Sequence, residues 1–412
     1  MKKCFGLLGE TLTHSYSPMI YRQFGIEDYR LFSMQKEKIA GFLKSGKLKG
    51  LNVTIPYKKT VLPFCDTLSD IAKRMGNVNT LKFLDDGSVY GHNTDYEGFL
   101  LMLRKADIAL HGKKIMLLGT GGAASTASFA ARDAGAASIT CISRKGENNY
   151  AHIHRFEDTQ VLINCTPVGM HPSCGGTPVS LNSLPALEGV VDLVYNPWRT
   201  NLLLEAAARN IPCAGGLTML VEQARAAASV FLSREIQEEA ANSAYSHVLH
   251  ETLNIVLTGM PGCGKSTTGR ALAKRMSRPF FDTDDLILEK TGRTAAQIIE
   301  TDGEAAMRKI EAAIIEEKTK ESGIVLATGG GAILLEENRR AMRRNGRVYW
   351  LKRPLEALPI DGRPLSKNLP ALYEARKPFY AMTTDAAIHI KTEHPADAAD
   401  AVREEFYAFA GA

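Results

Sequence analysis

The sequence predicts an α/β protein built on parallel sheets, and three observations predict it. Short apolar runs alternate with helix-period segments along the whole chain, the pattern of repeated strand–helix units. Two glycine-rich turns, LLGTGGAAST near residue 120 and TGMPGCGKSTTG from Thr258 to Gly269, each stand between a strand-like run and a helix-like one. The length of 412 residues suits about two or three domains.

In chain order, KKIMLLGTGG reads as strand and turn, STASFAARDAG as a helix ended by glycine, and ASITCIS, VLINCTP and VVDLVYN as further strands. The segment LTMLVEQARAAASVFLSREIQEEAANSAYSHVLHE reads as helix, because neither proline nor glycine interrupts it after Gly216. LNIVLTG then opens a fresh strand straight into the second glycine-rich turn, which puts a domain boundary near residue 250 with little or no linker. The expected domains are 1–250, divided into a substrate part (about 1–102 and 217–250) and a nucleotide part (about 103–216), and 251–412.

Hydrophobic residues make up 45% of the chain, its formal charge is +5 and its pI about 8.7. That mild basicity suits small anionic ligands and, without a dense Lys/Arg run, argues against nucleic acid. The seven cysteines form no CxxC pair, so neither a zinc site nor a disulfide framework is expected, and a reducing compartment is. No apolar stretch is long enough to span a bilayer and the N-terminal apolar run is too short for a signal peptide. The expectation is a cytoplasmic protein with small-molecule partners.

The second turn fits G-x-x-x-x-G-K-S. Gly259, Gly262 and Gly264 let backbone N–H groups turn onto phosphate oxygens, with Cys263 and Thr267 in the same cradle. Lys265 reaches the β/γ-phosphates and the Ser266 hydroxyl ligates Mg²⁺. The strand GIVLATGGGA ends in glycines where a motor ATPase wants an acid, and N-K-x-D of a GTPase is absent. FFDTDDLI instead places Asp282 and Asp284 at alternate positions, one to help hold Mg²⁺ and one to take a proton from an acceptor hydroxyl. An acidic helix cap explains the same pair. ATP and Mg²⁺ are the expected cofactors.

The first turn fits G-x-G-x-x-[G/A] through Gly119, Gly121 and Ala124, seating a pyrophosphate on the helix that begins near Gly122 and Ala123. Where an NAD enzyme shows an acid after the next strand, this chain has Ser143, Arg144 and Lys145. Basic groups there suit a 2′-phosphate, hence NADP, or else form a solvated turn. Twenty positions separate Arg144 from Asn164, little room for another crossover, and the HIHRFED run between them reads as solvated turn rather than metal site. Upstream, Lys58 and Asp95 form a plausible proton relay for reduction of a ketone, although each alone reads equally as a surface charge. In HSYSP, Ser15 and Ser17 share one side of an extended segment, with Ser17 before Pro18 also reading as a helix cap.

The motifs GKST, DTDD, GEAAMRKIE, TGGGA, DGRPL and EARKPFY, in this order from about residue 253, resemble shikimate kinase. That resemblance implies Asp284 as base, Asp282 supporting Mg²⁺, Arg308 and Arg376 on the substrate carboxylate, Gly329, Gly330 and Gly331 against the substrate, and Arg363 on a lid over the transferring phosphoryl group. Arg308 also makes an ordinary helix-surface salt-bridge pattern with Glu304 and Glu311. Between WLKRP and DGRPL the chain is shorter than the family usually is. HSYSP, NVTIPYK, GNVNT, NTDYEG, LGTGGA, INCTPVGM, DLVYNPWRT and GGLTMLVEQA resemble shikimate dehydrogenase over roughly residues 4–250. This implies Lys58 and Asp95 as the catalytic pair, Ser15, Ser17, Thr54, Asn79, Asn93 and Gln223 on the substrate, and Thr166, Met170 and Gly215 along the nicotinamide pocket. Asn52 reads as structural. The expected whole is an N-terminal α/β substrate domain with a Rossmann-like NADP domain, then a P-loop kinase domain with a parallel sheet. The function implied is a bifunctional enzyme, and the competing expectation is that one half only senses its nucleotide or product.

Overall fold

The apolar runs become strands of three sheets. The computed structural model describes residues 3–12, 15–358, 368–390 and 394–411; Arg363 lies outside the described residues. The chain divides into two units, one of Met1–Met170, Gly176–Asn196 and Glu205–Val248, the other of His171–Gly175, Pro197–Leu204 and Leu249–Ala412.

The first unit opens with β1 (Cys4–Gly9), α1 (Ser17–Gln23), β2 (Tyr29–Ser33), α2 (Lys36–Leu43), β3 (Leu48–Val53), β4 (Thr67–Leu68), α3 (Asp70–Met75), β5 (Thr80–Phe83), β6 (Val89–His92) and α4 (Asp95–Lys105). Its six strands run β2-β1-β3-β5-β6-β4, parallel across β2, β1 and β3 and antiparallel from β3 through β5 to β6. There follow β7 (Lys114–Leu118), α5 (Gly122–Asp133), β8 (Ser138–Ile142), β9 (Val161–Asn164), β10 (Gly189–Asp192), α6 (Asn201–Ala208), β11 (Cys213–Gly215), α7 (Gly216–Leu232) and α8 (Glu238–Thr252). These strands make a wholly parallel sheet, β11-β10-β9-β7-β8, with its apolar residues buried against α4 and α5. The parallel crossover from β8 past β7 to β9 carries only a short 3-10 stretch, Tyr150–Phe156, in place of the α-helix of a βαβ unit, and β8 is an edge of the sheet.

The long helix expected after Gly216 is two helices. Ser233 takes a left-handed conformation, φ +50°, and polar side chains hold the break: Ser229 Oγ accepts from Ile236 N at 3.0 Å and Arg225 Nη1 donates to Ile236 O at 2.9 Å. Such bonds replace the glycine or proline that sequence patterns look for. Gly98 of α4 lets α7 approach, since a Cβ there would stand 2.8 Å from Gln223 Cβ. That approach sets the position of Gln223.

The second unit holds β12 (Asn254–Thr258), α9 (Lys265–Met276), β13 (Phe280–Asp282), α10 (Thr283–Thr291), α11 (Ala295–Asp302), α12 (Glu304–Lys318), β14 (Val325–Ala327), α13 (Glu336–Arg344), β15 (Gly346–Lys352), α14 (Leu369–Thr383), β16 (Ala386–His389) and α15 (Pro395–Ala410). Its sheet, β13-β14-β12-β15-β16, is parallel throughout. Ile255, Leu257, Val325 and Val348 are fully buried in it, as parallel strands covered on both faces should be.

This unit takes eight residues from well upstream, Pro197–Leu204. Trp198 meets Phe409 edge-on at 5.6 Å. Arg199 binds Asp385 through both terminal nitrogens, at 2.9 and 3.2 Å, and donates to the carbonyls of Arg343 and Gly346 at 2.8 Å each. The pair is largely buried, 18% and 11% exposed, and removing one partner of such a pair strands the other. Arg199→Ala is therefore expected to destabilise the second unit by about 3 kcal/mol, measured by urea unfolding of the full chain with tryptophan fluorescence as the probe, since Trp198 and Trp350 both lie in this unit.

Candidate active sites

In the first unit, Lys58 lies in the turn after β3 and Asp95 begins α4. Lys58 Nζ donates to Asp95 Oδ2 at 2.5 Å. The pair faces a cavity of about 560 Å³ that Ser15, Ser17, Thr54, Asn79 and Gln223 also line. Asn79 is fixed from behind: its Oδ1 accepts from Thr94 N at 2.8 Å and its Nδ2 donates to Thr94 Oγ1 at 3.1 Å. Ser17 is not the cap of α1; it is the first helical residue, Tyr16 precedes it as cap, and Ser15 Oγ accepts from Ser17 N at 3.2 Å.

Asn93 stands apart from this cavity. It is wholly buried, its Nδ2 donates to Asn77 Oδ1 at 2.5 Å, and its Oδ1 accepts from the backbone N–H of Asp95 and Tyr96. Its polar groups are committed to the start of α4, where they hold Asp95 in place. Conversely, Asn52, Tyr21, Tyr29 and Tyr195 line the cavity although nothing in their local sequence marks them. Asn52 has the structural task expected of it, accepting from Tyr29 Oη at 2.7 Å and donating to Thr80 Oγ1 at 3.2 Å.

The dinucleotide turn follows β7. Gly119 has φ +102°, which favours glycine, and its N–H donates to Ile142 O at 2.8 Å, beside the end of β8. Gly121 and Gly122 face open space where a side chain would stand, at the N-terminus of α5, where backbone donors and the helix dipole favour an anion. Ala123 lines the Lys58–Asp95 cavity, so the turn reaches the reaction site. Thr166 packs on Gly119 and anchors through Asn164 Oδ1, at 3.0 Å from its N and 2.7 Å from its Oγ1. Gly215 ends β11 and precedes α7, and Met170 is exposed. Ser143, Arg144 and Lys145 follow β8, the two cations exposed. Among the described residues no cluster of three His, Cys, Asp or Glu groups could hold a metal ion.

In the second unit, Gly259, Gly262 and Gly264 have φ of +145°, +82° and +96°, backbone shapes that turn N–H groups inward. Lys265 Nζ donates to the carbonyls of Gly259 and Met260 at 3.0 Å each, and Thr267 Oγ1 to Gly264 O at 2.9 Å. Cys263 is buried beside the turn. Ser266 Oγ donates to Asp282 Oδ2 at 2.5 Å, while Asp282 Oδ1 caps α10 by accepting from Asp284 N at 2.9 Å. The cap reading is thus met by Oδ1, while Oδ2 is turned to Ser266, the other residue of the expected Mg²⁺ site. Asp284 is exposed, but partial desolvation of its carboxyl within the site, with Asp282 adding to it, pushes the group above its ordinary value.

Gly329, Gly330 and Gly331 follow β14. A Cβ at Gly329 or Gly331 would collide with Glu311 and Arg308, respectively. Tyr380 Oη donates to Gly330 O at 2.7 Å and so fixes this turn. Arg308 pairs with Glu304 at 3.0 Å and with the buried Glu311 at 2.7 Å. Arg376 is 4% exposed, and its Nε and Nη1 have no hydrogen-bond partner. Burial lowers its pKa. A buried guanidinium with idle donors fits an anionic ligand such as a carboxylate.

A Rossmann sheet with a Lys–Asp cavity defines one oxidoreductase-type site, and a phosphate-binding loop beside paired aspartates defines a phosphotransferase-type site. The chain belongs to the shikimate dehydrogenase family, and its C-terminal part is a shikimate kinase domain. The family model described as the shikimate dehydrogenase substrate binding domain matches residues 7–81, and that of shikimate kinase matches residues 261–407. A shikimate dehydrogenase (NADP(+)) of Clostridium beijerinckii is 36% identical over 261 residues, 59% of this chain and 96% of the relative; one of Methanothermobacter thermautotrophicus is 34% identical over 275 residues, 60% and 96%. Among solved structures, a chorismate mutase/shikimate 5-dehydrogenase fusion protein from Clostridium acetobutylicum is 35% identical, with TM-score 0.56 over 59% of this chain and 96% of its own. A shikimate 5-dehydrogenase from Thermus thermophilus, solved with NADP(H) and shikimate, is 30% identical, with TM-score 0.52 over 59% and 100%. Among the described residues no helix is long and apolar enough to cross a membrane.

Proposed function

We propose that the chain runs two consecutive reactions: NADPH-dependent reduction of 3-dehydroshikimate to shikimate in the first unit, then ATP- and Mg²⁺-dependent phosphorylation of shikimate to shikimate 3-phosphate in the second. The hydroxyl made by the reduction is the one phosphorylated next. The observation that carries this is the pairing of reactive groups at both sites, Lys58 with Asp95 in a lined cavity and Ser266 with Asp282 beside Asp284.

In the reduction, NADP fits the open glycine cradle at α5, with Ser143, Arg144 and Lys145 placed for its 2′-phosphate, Thr166, Met170 and Gly215 toward its nicotinamide end, and supplies the hydride when bound. Ser15, Ser17, Thr54, Asn79 and Gln223 hold the substrate. Lys58 delivers a proton to the carbonyl oxygen as negative charge develops there, Asp95 orients the ammonium, and the resulting amine regains its proton from solvent.

In the phosphorylation, Ser266 and Asp282 offer Mg²⁺ the hard oxygen donors it takes, and the ion neutralises phosphate charge when bound. Lys265 and the turn Gly259–Gly264 hold the phosphates. Arg308 and Arg376 clamp the substrate carboxylate, with the backbone of Gly329, Gly330 and Gly331 against the ring. Asp284 takes the hydroxyl proton, and its raised pKa makes it a better base than an ordinary carboxylate. Arg363 would add positive charge from outside the described residues.

The test supplies 3-dehydroshikimate, NADPH, ATP and Mg²⁺ and quantifies both products by mass spectrometry. Wild type should accumulate shikimate 3-phosphate, and Lys265→Ala should stop at shikimate. A wild type that itself stops at shikimate leaves the second unit as a sensing module; one that consumes only supplied shikimate leaves the first unit as such.

A further inference from the structure

Tyr21 is 1% exposed, lines the Lys58–Asp95 cavity, and has a hydroxyl with no hydrogen-bond partner. It stacks on Tyr29, centroids 4.1 Å apart and planes 8° from parallel. Tyr29 satisfies its own hydroxyl on Asn52 Oδ1, and Asn52 spends its amide on Thr80 Oγ1 and Asn79 O. Asn52 and Tyr29 lie beside the Tyr21 hydroxyl, yet neither meets it in hydrogen-bond geometry. Burial pushes both phenols far above their ordinary pKa, so each is a neutral donor. A buried donor left idle costs stability, and in a cavity wall it is a demand for an acceptor from the ligand.

The position on the helix says which part of the ligand. Tyr21 follows Ser17 by one helical turn, i to i+4, so both stand on one face of α1, and Ser15 adjoins through its bond to Ser17 N. The cavity end is a cluster of hydroxyl donors. Lys58 and Asp95 supply the charged chemistry of the same cavity. An oxygen that only accepts, as a carboxylate oxygen does, suits such a cluster best. We infer that Tyr21 donates a hydrogen bond to the substrate carboxylate, acting with Ser15 and Ser17 as a binding residue of the first unit. This rests on the dehydrogenase reaction proposed above.

The test uses the full-length chain and Tyr21→Phe, which keeps the stacked ring and removes only the hydroxyl. Two quantities are read: KM and kcat for shikimate oxidation by NADP⁺, and the thermal midpoint with and without shikimate. The expected result is a KM raised about tenfold with kcat little changed, a midpoint of the free protein unchanged or higher, and a smaller rise on adding shikimate. Shikimate methyl ester should lose much less affinity on the substitution than shikimate does. An unchanged KM and an unchanged shikimate-induced rise overturn the assignment, and equal losses for acid and ester overturn the carboxylate as its partner. A wild type that shikimate stabilises but that does not oxidise it fails the proposed reaction alone, since the thermal comparison still reads Tyr21. A wild type that shikimate neither stabilises nor reduces NADP⁺ with removes both.

Discussion

Lys58→Ala should lower shikimate formation by about 10²–10⁴-fold, the usual contribution of a positioned proton donor, while phosphorylation of supplied shikimate continues at the wild-type rate. Lys58 is bonded to Asp95 at 2.5 Å within the cavity, so the substitution removes both the donor and the partner of a buried carboxylate. The fall should appear mainly in kcat, because Ser15, Ser17, Asn79 and Gln223 remain to bind substrate. Measuring each reaction separately by coupled absorbance assay checks it. A parallel fall in phosphorylation would mean that Lys58 supports the fold and not the reduction.

Asp284→Asn should lower the kinase kcat by about 10²–10⁴-fold and, unusually for an active-site change, raise thermal stability slightly, since the group is exposed and solvent screens its charge. The sign follows from its environment. Desolvation within the site and the neighbouring Asp282 push the Asp284 carboxyl up in the folded state, so ionising it near neutral pH works weakly against folding at this exposed position, and that burden is absent only below the ordinary carboxylate pKa. A neutral isostere relieves it. The same shift governs wild-type rate: the base must be ionised, so activity should fall on the acid side at a pH above the ordinary aspartate value of 3.8. Calorimetry of both proteins and a pH profile of kcat check the two halves. A less stable variant would place Asp284 in a structural role.

The two phosphate cradles are legible in the sequence because their chemistry is local: glycines, a lysine and a hydroxyl within eight positions make a loop whatever packs around it. The lack of a helix between β8 and β9 was legible for a related reason, since few residues join the two strands. Asn93 shows where local reading stops. Its place in NTDYEG is as suggestive as that of Asp95, but Asn77 and the start of α4 occupy its polar groups. The break at Ser233 depends on Arg225 and Ser229 reaching forward to Ile236, and side-chain caps leave a weaker trace than glycine or proline. Tyr21 is the extreme case. Its interest lies in a bond it does not make, which follows only from where β2, β3 and α1 bring their side chains.

The upstream strip Pro197–Leu204 also has a consequence in time. Arg199 and Asp385 lie 186 positions apart. At about 5–20 residues per second on the ribosome, Arg199 waits roughly 10–40 s before its partner exists. Trp198 waits longer still, for Phe409. The second unit therefore cannot close progressively as its own strands emerge. It finishes only once Phe409 has been made, and a gene cut at the boundary near residue 250 would encode a kinase without the arginine that ties β15 to the loop before β16.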